Sequence, residues 1–258
     1  MFRRMTPYER EWADMLKKEE KFLGKRLDKK DTFINQKLEK YVPDKLQATL
    51  DEAFSKFFAL VFEKGTVIIE KTYSKDKIKE AYAENDYNYL LNQNNKNFRK
   101  FSKKASNAGA RNLLISGTAG IGMGIAGLGI PDIPVFTTMI LRSIYEIALN
   151  YGYHYENEKE QNFILLIIQG AVSYSDELKR IDDELNLYIK TGKYSEQIDI
   201  KKQIKNTSAS LSKELLYMKF LQGTPIVGAV GGWYDVVYMK QITEYANLKY
   251  KRRFLSKR

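Results

Sequence analysis

Cysteine is absent from the chain, which excludes disulfides, cysteine-ligated zinc and thiol catalysis, and fits a reducing compartment. Histidine occurs once, as His154 in YGYHYE. A three-histidine metal site is therefore impossible, and the plainer reading of His154 is a surface polar residue flanked by tyrosines. The opening stretch MFRRMTPYEREWADMLKKEE lacks the apolar core of a signal peptide, so a cytoplasmic location is expected. No RNA-recognition, zinc or helix-turn-helix signature is found. Neither a metal nor a cofactor is expected.

Long charge-free stretches are also few, and two of them are rich in glycine. The first, residues 113–130 (LLISGTAGIGMGIAGLGI), has no charge and six glycines, and an IPDIP turn follows at once. Eighteen uncharged residues is about the lower limit for a bilayer-spanning helix, but each Gly weakens a helix by about 1 kcal/mol relative to Ala. The run is a marginal span. Small residues four apart, Gly120/Gly124 and Gly122/Ala126, instead suit close approach of another backbone. Gly122 to Gly127 matches GxGxxG, yet Pro131 arrives four residues after the third glycine. A helix cannot continue cleanly through Pro131 and Pro134, and no Lys-Ser/Thr completes a phosphate loop, so nucleotide binding is not expected here. The second run, residues 220–234 (FLQGTPIVGAVGGWY), ends at Asp235 and repeats the design.

Positive charge is abundant. The 258 residues carry 43 Lys+Arg against 32 Asp+Glu, a formal charge of +11. That balance calls for an anionic partner, a lipid surface first and nucleic acid second. Arg99, Lys100, Lys103, Lys104 and Arg111 stand just ahead of the first run, where an anionic headgroup region would attract them; a solvated helix face is the plainer alternative. The chain closes on a second basic cluster containing Lys249, Lys251, Arg252 and Arg253. Aromatic residues make up 13%, which argues against disorder.

Helical periodicity covers most of the rest. Thr6-Pro7-Tyr8-Glu9 reads as a capping box, and Trp12, Met15, Leu16, Phe22 and Leu23 follow on one stripe ending near Gly24. A weaker helical pattern runs to Pro43. Beyond it Leu46, Leu50, Phe54, Phe57, Phe58, Val61 and Phe62 mark a core helix closed by Gly65. Residues 66–69 are open between a short strand and a helical turn, and Ser74 caps a helix to about Leu91. Residues 135–151 form a strong helix ended by Gly152. Residues 160–189 read as one long helix, buried at first and then amphipathic, and residues 195–221 as another. A weak internal duplication is suggested by Arg142-Ser-Ile-Tyr-Glu-Ile-Ala echoing Lys240-Gln-Ile-Thr-Glu-Tyr-Ala.

The Gly-rich run into IPDIP, the helix ending IALNYGYHYE, and QGTPIVGAVGGWYDVVYMKQITEYANLKYKRRFL together resemble the EcsC family, over about residues 8–255. The matching positions are Gly124, Gly127, Asp132, Pro134, Arg142, Tyr151, Gly152, Gly223, Pro225, Gly228, Gly232 and Asp235, with Gly120 beside them as a structural glycine. The resemblance implies a neighbouring ABC transporter as a partner. It brings no established reaction, so no catalytic residue is carried over.

The expected fold is all-α: a single compact multi-helix domain of about eight helices with two Gly-rich apolar arms. Residues 1–42 supply N-terminal amphipathic helices and residues 43–258 the main body. The expected function is that of a cytoplasmic accessory protein, peripherally associated with an anionic membrane through Arg99, Lys100, Lys103, Lys104, Arg111 and the basic tail. A first alternative is an enzyme acting on a lipid or amphiphile, with Asp132 and Asp235 as paired carboxylates where the two arms meet; Asp132 has the simpler task of capping the helix after it. A second is nucleic-acid binding by the tail, with Tyr250 and Phe254 stacking on bases, which no signature supports.

Overall fold

The computed structural model describes residues 5–28, 44–123, 133–221 and 231–258. Ten helices lie among them: α1 (Pro7–Leu27), α2 (Asp44–Lys64), α3 (Val67–Glu70), α4 (Lys75–Leu91), α5 (Asn95–Met123), α6 (Ile133–Asn150), α7 (Glu158–Val172), α8 (Ser175–Thr191), α9 (Ile200–Leu221) and α10 (Gly231–Leu255). The fold is all-α, with no strand among the described residues. Residues 66–69, open in the sequence between strand and turn, enter the single helical turn α3.

Local chemistry explains most boundaries. The Thr6 hydroxyl accepts from the Glu9 N–H at 3.1 Å while the Thr6 N–H donates to the Glu9 carboxylate at 2.8 Å, so the capping box starts α1 as expected. The helix then passes through Gly24 and stops at Leu27. At the end of α6, Gly152 adopts φ +79° and the Tyr153 N–H donates to the Ala148 carbonyl at 2.9 Å. A side chain there would also collide with the Tyr82 ring, so both conformation and space demand glycine. Gly192 closes α8 in the same left-handed conformation. The Asp199 carboxylate accepts from the Lys202 N–H at 2.9 Å, which delays α9 to Ile200 from the expected Ser195.

One boundary departs from the periodicity. The pattern over residues 160–189 is two helices, because the chain is extended at Ser173 and Tyr174 and Ser175 takes φ +47°. The Ser173 hydroxyl donates back to the Gln169 carbonyl at 2.9 Å. The break lets α7 be buried all round while Leu178, Ile181 and Leu185 of α8 turn inward. With α3 and with α5, where no helix is expected, it brings the described residues to ten helices; the weaker helical pattern before Pro43 lies outside them.

The hydrophobic core joins residues from Met15 of α1 to Leu255 of α10 in one cluster. Its axis is the α5–α6–α10 group. Phe101 meets Phe254 with ring centroids 4.8 Å apart, Asn247 donates to Ser106 at 3.2 Å, and a Cβ on Gly109 would sit 3.4 Å from Thr243. These pairs run in opposite directions along the two chains, so α5 and α10 are antiparallel. Ile147 lies 3.9 Å from that Gly109 position while Tyr151 bonds Ser102, which sets α6 antiparallel to α5 as well. By this register Met123, Ile133 and Gly231 lie at the same end of the molecule. The first Gly-rich run therefore begins in a helix packed on α6 and α10. At Gly170 of α7 a Cβ would stand 2.9 Å from Ile181 and from Tyr245, a second close approach made possible by glycine.

Candidate functional site

The basic tail falls on the last turns of α10, and its charges turn inward. Lys249 is fully buried; its ammonium donates to Glu19 at 2.7 Å and Asn186 at 3.0 Å and pairs with Asp182 at 2.6 Å. Arg252 pairs with the other oxygen of Glu19. Lys251 meets Glu11 at 2.8 Å and Asp14 at 3.4 Å. Arg253 donates to both oxygens of Glu160 at 2.9 and 2.7 Å and lies over the Tyr153 ring at 4.1 Å. Arg258 pairs with Asp86. Buried charges must be matched or they cost several kcal/mol each, and acids from α1, α7 and α8 do the matching here.

Electrostatics are consistent with locked pairs. Burial lowers the Arg253 pKa, but the Glu160 carboxylate more than reverses this and leaves it raised. Against the upward pull of burial, Lys18 and Lys251 hold Asp14 below the usual carboxylate range. Burial first, and then the charge of Asp182, drives the Tyr245 hydroxyl well above its ordinary value; burial and Glu160 do the same to Tyr250. Lys249, Lys251, Arg252 and Arg253, expected at lipid headgroups, are each held by a carboxylate of another helix. Tyr250 and Phe254, the stacking residues of the nucleic-acid alternative, are buried.

The other basic cluster behaves differently. Lys96, Arg99, Lys100 and Lys103 recur at helical spacing on α5, opposite the buried Phe98, Phe101 and Ala105. Lys96 and Lys103 are exposed and Lys100 is partly so, and among the described residues none of the three enters an ion pair. Arg99 touches Glu11 at 3.1 Å while its side chain stays 61% exposed. Lys104 reaches back to the Ala81 carbonyl at 3.5 Å. Arg111 lies in α5, with its side chain outside the described residues.

Lys96 was not singled out in the sequence, although its spacing from Lys100 and Lys103 was a legible signal. Neither were Tyr87, Leu90 and Leu91. These close α4 and are 64%, 64% and 68% exposed. His154 is exposed beside Glu156, as expected of a surface residue.

Asp132 lies outside the described residues, as do Gly124, Gly127, Gly223, Pro225 and Gly228; Asp235 is in α10 with its side chain outside them. The shared carboxylate site thus lies outside the described residues. Gly120 and Gly232 lie within α5 and α10, and Pro134 in the first turn of α6. Arg142 pairs with the buried Glu146 at 3.0 Å, and the Tyr151 hydroxyl donates to Asn247 at 2.9 Å, tying α6 to α10. No group of three or more His, Asp or Glu that could hold a metal occurs among the described residues.

Two other features have the look of a site. One oxygen of Glu70 accepts from Thr66 and Lys75 at 2.6 Å and from Tyr155 at 2.9 Å, and Tyr155 also bonds Tyr73. Burial raises the Glu70 pKa, but those donors lower it further, leaving a fixed carboxylate that pins α3. An open cleft of about 750 Å³ lies between the end of α2 and the start of α9, with Phe62, Ile200 and Ile204 as its apolar floor and Glu63 and Glu158 at its edge.

Comparison with known proteins was made against this geometry. A family model described as the EcsC protein family matches residues 9–255. Protein EcsC of Bacillus subtilis (strain 168) is 23% identical over 150 residues, 57% of this chain and 56% of that protein, so the match spans little more than half the length of the relative. No solved structure matches. With the family match running through every described helix, from α1 to α10, the chain belongs to the EcsC protein family.

Proposed function

We propose that this chain is a helical accessory protein that associates peripherally with an anionic membrane surface, docking by the outer face of α5. The observation that carries this reading is the row Lys96, Arg99, Lys100 and Lys103 on α5, in which Lys96, Arg99 and Lys103 face solvent. Among the described residues no helix is long and apolar enough to cross a membrane. Each Lys or Arg near an anionic surface contributes about 1 kcal/mol. Four give about 4 kcal/mol, equivalent to about millimolar affinity. Such docking would bring the chain beside a membrane-embedded ABC transporter, the partner implied by the family resemblance.

The test is co-sedimentation of the full chain with vesicles containing phosphatidylglycerol or made of phosphatidylcholine alone. Binding is expected only to the anionic vesicles, weakening as the Debye length falls from about 10 Å at 0.1 M salt to about 3 Å at 1 M. Equal binding to both vesicles, or none at low salt, would overturn the reading.

A further inference from the structure

We propose that the α4–α5 turn is a shallow apolar wedge that enters the headgroup layer of an anionic lipid surface, with Tyr87, Leu90 and Leu91 as the inserting side chains. The proposal rests on the membrane reading above and deepens it.

Three large apolar residues within five positions are exposed by more than 60% at one helix end, whereas Tyr89 between them is buried against Phe98 and Phe101 at centroid distances of 5.1 and 6.3 Å. The aromatic contact fixes the turn and leaves the leucines outside. Part of the turn's backbone is paired internally. The Asn97 side chain donates to the Asn88 carbonyl at 3.1 Å and to the Asn92 carbonyl at 3.0 Å, while the Asn97 N–H donates to the Asn94 side chain at 2.8 Å. A segment leaving bulk water needs its main-chain groups paired in this way. The asparagines that interrupt the helical pattern are the groups that pair them.

Charge selects the occupant. Across residues 84–104 five Lys/Arg stand against two acids, and one of those acids, Asp86, is already paired with Arg258. Lys96 lies in the first turn of α5, five positions after Leu91 along the chain, and Arg99, Lys100 and Lys103 continue the row. Apolar side chains with adjacent cations match the acyl boundary and phosphate layer of a membrane. Three protruding side chains offer far less than the roughly 1,000 Å² of a stable protein interface.

Because the chain has no cysteine, Leu91→Cys carries an environment-sensitive fluorophore at one position only, and Glu196→Cys, on the exposed loop before α9, serves as the control. With phosphatidylglycerol vesicles the label at position 91 should shift to the blue and be quenched by shallowly brominated lipid, and the label at 196 should do neither. Leu90→Ser with Leu91→Ser should weaken vesicle partition by about tenfold or more with unchanged helicity. If the labelled protein co-sediments but the label at 91 stays in water, the wedge is wrong and peripheral docking stands. If it fails to co-sediment with anionic vesicles, docking and wedge fall together.

Discussion

The last turns of α10 and the first turns of α5 are alike in composition and opposite in use. Both are short runs of Lys and Arg interleaved with aromatic residues. In α10 the cations Lys249, Lys251, Arg252 and Arg253 each meet a carboxylate from another helix, and Lys249 has no exposed surface. In α5 the cations lie on the side away from Phe98 and Phe101, and three of them have no ion-pair partner among the described residues. The lesson is that local charge density does not identify a binding surface. Whether distant acids reach the cluster does.

Removing one charge from each region should separate them most. Lys249→Met leaves Asp182 buried without its cation and Glu19 with Arg252 alone, and breaking a buried pair in this way costs about 3–5 kcal/mol. Denaturant titration should show that loss. Lys96→Gln should change stability by less than about 0.5 kcal/mol in the same titration, and a comparable loss there would erase the distinction.

Packing around α10 should give the next largest effect. Gly170→Ala drives a methyl to 2.9 Å from Ile181 and Tyr245, and overpacking of this kind costs about 1–3 kcal/mol. Tyr245 donates to Asp182 at 2.6 Å, so the strain should be felt in the Lys249 network. Combining Gly170→Ala with Lys249→Met should then be less than additive, whereas additivity would show packing and charge to be independent.

Alkali offers a third probe. Tyr245 and Tyr250 have folded pKa values raised well above the ordinary 10.0, so above about pH 10 the unfolded chain loses tyrosine protons that the folded chain keeps. Their contribution is complete below the unfolded value and is lost as pH rises toward the folded one. Melting followed by circular dichroism should decline from about pH 10 upward; a flat profile would contradict the burial of these hydroxyls. The smallest effect belongs to α5: the combined Lys96→Gln, Lys100→Gln, Lys103→Gln variant should melt like the parent and lose anionic-vesicle binding.

Much of the fold was legible because its signals are local. The Thr6–Glu9 box, the stripe through Leu50, Phe54, Phe58 and Val61, and the terminating Gly152 and Gly192 can each be read within a few residues. The break at Ser173 was also written, since Ser175 followed by Asp176 and Glu177 is a helix-start pattern, but unbroken apolar periodicity outweighed it. The site was harder for a physical reason. Glu19 lies 230 positions from Lys249 and Glu160 lies 93 from Arg253, so nothing near the tail in sequence marks it as neutralised. Exposure of Leu90 and Leu91 is likewise a property of what packs nearby, which periodicity alone does not carry.

Lysine acetylation footprinting, read by mass spectrometry with and without phosphatidylglycerol vesicles, tests the contrast in one experiment. Lys96 and Lys103 should react rapidly in solution and be protected by the vesicles, while Lys249 and Lys251 should react slowly in both conditions. Rapid modification of Lys249 and Lys251, or no vesicle protection of Lys96 and Lys103, would contradict the assignment of one cluster to the interior and the other to the membrane.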